Sequence, residues 1–164
     1  MLFIDRSHKR AYLDRMKIQS IATVILGVTM LVLAASAGHT AEPRIGADEA
    51  YRRTTAGELT LIDIRTPQEW RKSGIPRGSV PISMHQSGGK EAFKKAILAA
   101  AKGNMERPIA LICAVGGRSQ WAQRYLSKAG FTNVQDVTEG MFGRGKQQPG
   151  WLNRGLPVDP CPNC

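Results

Sequence analysis

Cysteine and histidine are scarce in this chain, three of each in 164 residues. Beyond residue 39 the only histidine is His85. It sits in "SMHQSGG" with no recognisable triad partner, which disfavours a cysteine protease, so His85 reads as a loop residue rather than a base. Two of the cysteines, Cys161 and Cys164, share the stretch "CPNC". Two thiolates leave a tetrahedral zinc two ligands short, so no metal site is expected. Aromatic residues amount to 6% and do not interleave with the basic ones, which are scattered. Without a stacking platform, nucleic acid is not expected as a partner, despite 23 Lys+Arg against 13 Asp+Glu. The net charge of +10 is read as an aid to solubility that also draws in small anionic substrates. There is no internal repeat and no low-complexity tract. Hydrophobic content of 42% and charged content of 22% are those of an ordinary globular protein rather than a disordered one.

Charge is missing altogether from Ile18 to Gly38. Lys17 precedes this run, and the small residues Ala35 and Ala37 mark its exit. That is the grammar of a secretory signal peptide over residues 1–37, with cleavage after Ala37 or Ala41. The alternative is an uncleaved anchor, since about 18 apolar residues just span a bilayer; this is the one membrane contact expected. Met16-Lys17 is itself a good signal-peptide start, so residues 1–15 read either as an upstream extension or as an incorrectly chosen start, in which case they are not translated. Residues 38–44 form a linker, 45–158 a single domain, and 159–164 a tail. The expected location is periplasmic or otherwise exported. In an oxidising compartment an odd cysteine count leaves one thiol over. Cys161 and Cys164 are close enough in sequence to pair, which makes Cys113 the candidate free thiol.

Within the domain, helical and strand patterns alternate. Ala47, Ala50 and Tyr51 share a helical face in "ADEAYRRT". "GELTLIDIR" turns through Gly57 into an apolar strand ending at Asp63 and Arg65. In "TPQEW", Thr66 is a predicted N-cap, Pro67 the first helical position and Glu69 the capping-box partner. A glycine- and proline-punctuated loop then leads into a short strand near Val80–Ile82. Lys90–Lys102 is the clearest amphipathic helix, with Phe93, Ala96, Ile97 and Ala100 on one face. "PIALIC", Pro108–Cys113, is a continuous apolar run of the kind expected for a parallel strand buried on both faces. Ser119–Ala129 is a second amphipathic helix, with Ala122, Tyr125, Leu126 and Ala129 inward and Gly130 closing it. "NVQDV" is one more strand. The expected fold class is α/β, an open parallel β-sheet flanked by helices on both faces.

Ligands of such sheets bind beyond the carboxyl ends of the strands, and Cys113 falls at that edge. In "CAVGGRS", Gly116 and Gly117 let the backbone curl so that amide hydrogens converge into an anion-binding nest. The helix that follows adds the positive end of its dipole, and Arg118 adds a fixed charge. Each effect favours a thiolate over a thiol, and the same donors can hold an oxyanion or a charged intermediate on sulfur. Arg144 and Lys146, in "GMFGRGKQQPGW", read as a solvated basic loop, with a place at the pocket mouth as the alternative.

These motifs, in this order, resemble the rhodanese-like sulfurtransferases. "LIDIRTPQEW" is similar to the family's strand-and-turn motif, "GIPRGSVPI" to its Ile-Pro-Gly-Ala loop, and "CAVGGRS" to its active-site loop. "AGFTNVQDVTEGM" resembles its last crossover and "GWLNRGLPV" its close, so the likeness runs from about Ile45 to Val158. It implies that Cys113 takes sulfane sulfur as a persulfide from a donor such as thiosulfate and passes it to a thiol, a protein or cyanide, with no cofactor. It also implies that the amides of Ala114, Val115, Gly116, Gly117 and Ser119 cradle the persulfide and that Arg118 binds the anionic donor. Asp63, Arg65 and Glu69 are expected as supporting residues. Two positions depart from the pattern: Gly74 stands where the family often has histidine before Ile-Pro, and Arg77 is an extra residue before Gly78. The alternatives are a non-catalytic sulfur carrier or redox-partner module, and a phosphatase or arsenate reductase of the same fold. The last pair use five residues between cysteine and arginine, whereas four, Ala114–Gly117, stand here, enclosing a space better suited to one sulfur than to a tetrahedral phosphate. For Cys161 and Cys164 the two readings are a terminal disulfide and a redox pair that receives sulfur from Cys113 or exchanges disulfides with a thiol partner.

Overall fold

The computed structural model describes residues 43–164; the signal or anchor segment and most of the linker lie outside the described residues. Among the described residues no helix is long and apolar enough to cross a membrane. The elements in chain order are β1 (Arg44–Ile45), α1 (Ala47–Thr55), β2 (Thr60–Asp63), α2 (Pro67–Ser73), β3 (Ile75–Pro76) and β4 (Val80–Pro81). Then follow α3 (Gly89–Ala100), β5 (Ile109–Ile112), α4 (Gly117–Lys128), β6 (Val134–Val137), α5 (Gly150–Asn153) and β7 (Val158–Asp159).

Five strands form one sheet in the order β1-β6-β5-β2-β4, and every pairing in it is parallel. The apolar run of β5 takes the centre because it has to be covered on both sides. Leu111 packs with Ile62, Phe93, Ile97, Ala122 and Leu126 under α3 and α4. Its neighbours Ala110 and Ile112 face the other way, onto Leu61, Ala50, Val137 and Trp151 under α1 and α5. All four β5 residues are fully buried, and each large apolar side chain so placed contributes about 1.5–3 kcal/mol. On the α1 side, the Tyr51 and Trp151 rings meet edge to face at 5.7 Å.

The capping box of α2 forms as expected, Thr66 accepting from Glu69 N and Glu69 from Thr66 N. In α4, Tyr125 is half-buried and packs against the core under α3 and α4, its hydroxyl lying on Glu91 at 2.9 Å. Arg44, assigned to the linker from sequence, belongs instead to edge strand β1 opposite Asp136. A two-residue strand carries no periodicity of its own; its parallel pairing with β6 defines it. The antiparallel pair β3–β7 was likewise not expected. It accounts for both departures noted above. A side chain at Gly74 (φ +72°) would begin 2.9 Å from Asp159 O, and Arg77 binds Asp159 at 3.0 Å.

Candidate active site

Cys113 follows β5 directly, at the carboxyl edge of the sheet, and is the free cysteine of the described residues. The residue is 1% exposed, and its sulfur is held from two sides. Gly116 N donates to Sγ at 3.2 Å, and the Ser119 hydroxyl lies 3.3 Å from it. Gly116, at φ +83°, is the N-cap of α4, which starts at Gly117 rather than at Ser119.

The loop owes its shape to a strap, the segment after β6. Met141 N donates to Cys113 O and Phe142 N to Ala114 O, both at 2.9 Å, and Arg144 Nε donates to Val115 O. Three successive carbonyls are thus turned to the strap. Each trans peptide sets its N–H opposite its C=O, so the amides of Ala114, Val115 and Gly116 are directed away from the strap, which is how a backbone nest is built. Two glycines allow the close approach. A methyl at Gly140 (φ +62°) would lie 2.7 Å from Cys113 O, and one at Gly116 would overlap Thr138 O. Glu139, almost fully buried, fixes the strap by accepting from Ala47 N and Gly150 N at 2.9 Å each.

The other sequence-predicted residues divide into two groups. Arg118, expected on the donor, binds the Glu69 carboxylate here, Nη1 and Nη2 lying 2.9 and 2.5 Å from it. Glu69 therefore both caps α2 and anchors the start of α4. The Arg118 hydrogen bonds, reinforced by Thr66 N–H and opposed by burial, hold the Glu69 carboxyl at about 2 against an ordinary 4.5. Asp63 and Arg65 form a pair with no solvent exposure, closest at 2.6 Å. Arg65 continues to Ser73 Oγ and Gly74 O, both at 2.7 Å, so the pair secures the far end of α2. Ala114 is half-buried, while Val115 and Gly117 are exposed. His85 is an exposed turn residue. Cys161 and Cys164 are joined to each other.

Sequence reasoning set Arg144 aside, yet it is the cation that crosses the loop, its guanidinium 3.3 Å from where a Gly116 side chain would begin. Lys146 is an exposed residue of the same turn. Asp136 was missed entirely. It is 2% exposed, beside Ser119, with burial pushing its carboxyl up. Its Oδ1 has no hydrogen-bond partner, and it borders a cavity of about 370 Å³ rimmed by Arg44 and Arg124. The clue available in sequence was an acidic residue inside a short strand, VQDV, whose ends are apolar.

The family model for the Rhodanese-like domain matches residues 46–144. The chain belongs to that family. The uncharacterized protein RP600 of Rickettsia prowazekii is 26% identical over 102 residues, which cover 59% of this chain and 80% of that protein. A rhodanese-related protein from Thermoplasma volcanium superposes with a TM-score of 0.53 at 27% identity, covering 72% of this chain and 98% of the other. The polysulfide-sulfur transferase homodimer of Wolinella succinogenes shares the fold, with a TM-score of 0.52 at 23% identity, covering 70% and 76%.

The Glu69–Arg118 bridge of this rhodanese-like domain has a pH signature. Glu69 is more acidic folded than unfolded, so its contribution is complete above about 4.5 and is lost as pH falls toward about 2. Glu69→Gln should lower the thermal midpoint above pH 4.5, with the two curves converging near pH 2. Parallel midpoint curves across that window would show that the bridge contributes nothing.

Proposed function

We propose that this rhodanese-like domain is a sulfurtransferase that carries sulfane sulfur on Cys113. The observation that carries the reading is the seat of the free Cys113 sulfur, at the end of β5, against Gly116 N–H and Ser119. The Cys113 thiolate attacks the outer sulfur of thiosulfate or a like anionic donor. The new S–S bond forms as the donor's S–S bond breaks, sulfite leaves with the electron pair, and the negative charge now rests on the persulfide. The amides of Ala114, Val115 and Gly116 stabilise that charge without reorganising, because the strap already holds their peptides. Arg144 draws the anionic donor to the loop, while Arg118 keeps α4 in place through Glu69. An acceptor thiolate or cyanide then attacks the outer sulfur and Cys113 leaves as thiolate. Val115 and Phe142, 43% and 45% exposed, offer apolar contact to a protein acceptor. The protein works in an exported compartment, a reading supported by the charge-free run after Lys17 and by the Cys161–Cys164 disulfide.

Intact and peptide mass spectrometry before and after thiosulfate tests this. Cys113 should gain one sulfur atom, lose it to cyanide or a thiol over repeated cycles, and gain none in Cys113→Ala. Loading that discharges to no small acceptor would favour a sulfur carrier. A Cys113 that no donor modifies would overturn the proposal.

A further inference from the structure

The Cys161–Cys164 disulfide fastens no element of the fold to another. Both cysteines belong to the segment after β7, three positions apart. That strand is held by other means: its ladder to β3, Arg77 N–H on Pro157 O at 3.0 Å, and the Arg77–Asp159 ion pair. Reducing the disulfide therefore frees only the short turn it closes. Both cysteines are half-buried rather than buried, so an attacking thiolate has access to the bond.

The surroundings select the attacker. A cavity of about 360 Å³ lies beside the bond, walled by Cys161, Pro160 and Pro162 and by Arg71 and Lys72 from the last turn of α2. The charged groups lining it are both cationic. Arg71 Nη1 also donates to Cys164 O at 2.6 Å, which keeps a guanidinium at the residue whose sulfur must depart.

We propose that Cys161–Cys164 is a thiol–disulfide exchange site for small anionic thiols, those bearing a carboxylate or sulfonate that Arg71 and Lys72 hold in the cavity. The thiolate of such a thiol attacks Cys161 Sγ, and the Cys161–Cys164 bond breaks as the mixed disulfide forms. Cys164 leaves as a thiolate, a charge the adjacent Arg71 stabilises. A second thiolate attacks the small thiol's sulfur in the mixed disulfide and releases Cys161. Two thiols are oxidised to their disulfide, and the protein pair takes up two electrons and two protons. The site acts separately from Cys113.

The test uses the full chain carrying Cys113→Ser, so that every thiol formed comes from this pair, the sequence having three cysteines in all. Reduction is followed at low salt with mercaptoethanesulfonate, 2-mercaptoethanol and cysteamine, rates being compared per thiolate after alkylation and mass analysis. The sulfonate should react about tenfold or more faster than the ammonium thiol, with the alcohol between them. Arg71→Gln with Lys72→Gln should flatten the series, as should salt of about 1 M. Lys72→Gln alone, which leaves the Arg71–Cys164 contact in place, should remove part of the preference. Equal rates for the three thiols in the parent, or a pair that resists reduction until the chain is unfolded, would overturn the proposal.

Discussion

Gly116→Ala should cut the rate of sulfur loading on Cys113 by about 100-fold or more, the cost of an ångström-scale misplacement of a reacting group. Two effects add. The residue sits at φ +83°, where an L side chain costs about 1–2 kcal/mol. Its new methyl would also overlap Thr138 O, a backbone atom at the root of the strap. Neither side can yield locally, because residues 140–144 hold the loop by its carbonyls. The chain must therefore move the loop, and with it the Gly116 N–H that reaches Sγ. A total loss of about 2–4 kcal/mol in stability is expected. Gly117→Ala is the control: its methyl meets only Arg144 Nη2, at 3.9 Å, in the first turn of a helix that favours alanine. Denaturant unfolding and stopped-time mass spectrometry on both variants measure the contrast. If Gly116→Ala loads and unfolds like Gly117→Ala, the strap does not define the loop.

Asp63→Ala is the change expected to destabilise most, by about 3–5 kcal/mol, because it leaves a buried guanidinium without its counter-charge. Arg65 has no solvent exposure, and its guanidinium makes three hydrogen bonds to this one carboxylate. Its bonds to Ser73 and Gly74 are those of a donor to neutral acceptors and do not replace the lost charge. Asp63→Leu combined with Arg65→Met should recover part of the loss, since the buried charge disappears with its partner. The recovery stays incomplete because Gly74 O then keeps only the long contact from Ser73 Oγ, at 3.5 Å. Chemical denaturation of the singles and the double measures the cycle. A cost below about 1 kcal/mol for Asp63→Ala would mean that water or a neighbouring group relieves Arg65.

How much of this was legible in the sequence differs from residue to residue. The β5 run and the α3 pattern are strong because every residue in them is sorted to one face or the other, and the alternation of strand neighbours such as Leu61 and Ile62 sends them to opposite faces of the sheet. The capping box of Thr66 and Glu69 closes over three residues, so spacing alone exposed it. The Glu69 partner of Arg118 was not legible in the sequence. Its charge and position were evident, but a guanidinium takes the nearest carboxylate, and Glu69 lies 49 positions away. Arg144 looked like a surface cation because nothing beside it in sequence shows that its turn folds back over Val115, 29 positions earlier. Asp136 was passed over as one polar residue in a strand, although burying it beside Ser119 is costly enough to raise its carboxyl.

What the sequence by itself determined is whatever local interactions settle: the alternation of elements, the parallel α/β class, the capped turn, the Cys113–Arg118 spacing and the pairing of Cys161 with Cys164. Turn chemistry, helix caps and hydrophobic period act over a few residues, so they are written in order along the chain. The tertiary structure alone decided which cation crosses the loop, which carboxylate Arg118 takes, and that the two-residue strands β1 and β7 exist at all. Those outcomes depend on which distant segments the packed sheet brings within a few ångströms of each other. A charge or a two-residue strand carries no periodic mark of the partner it will meet.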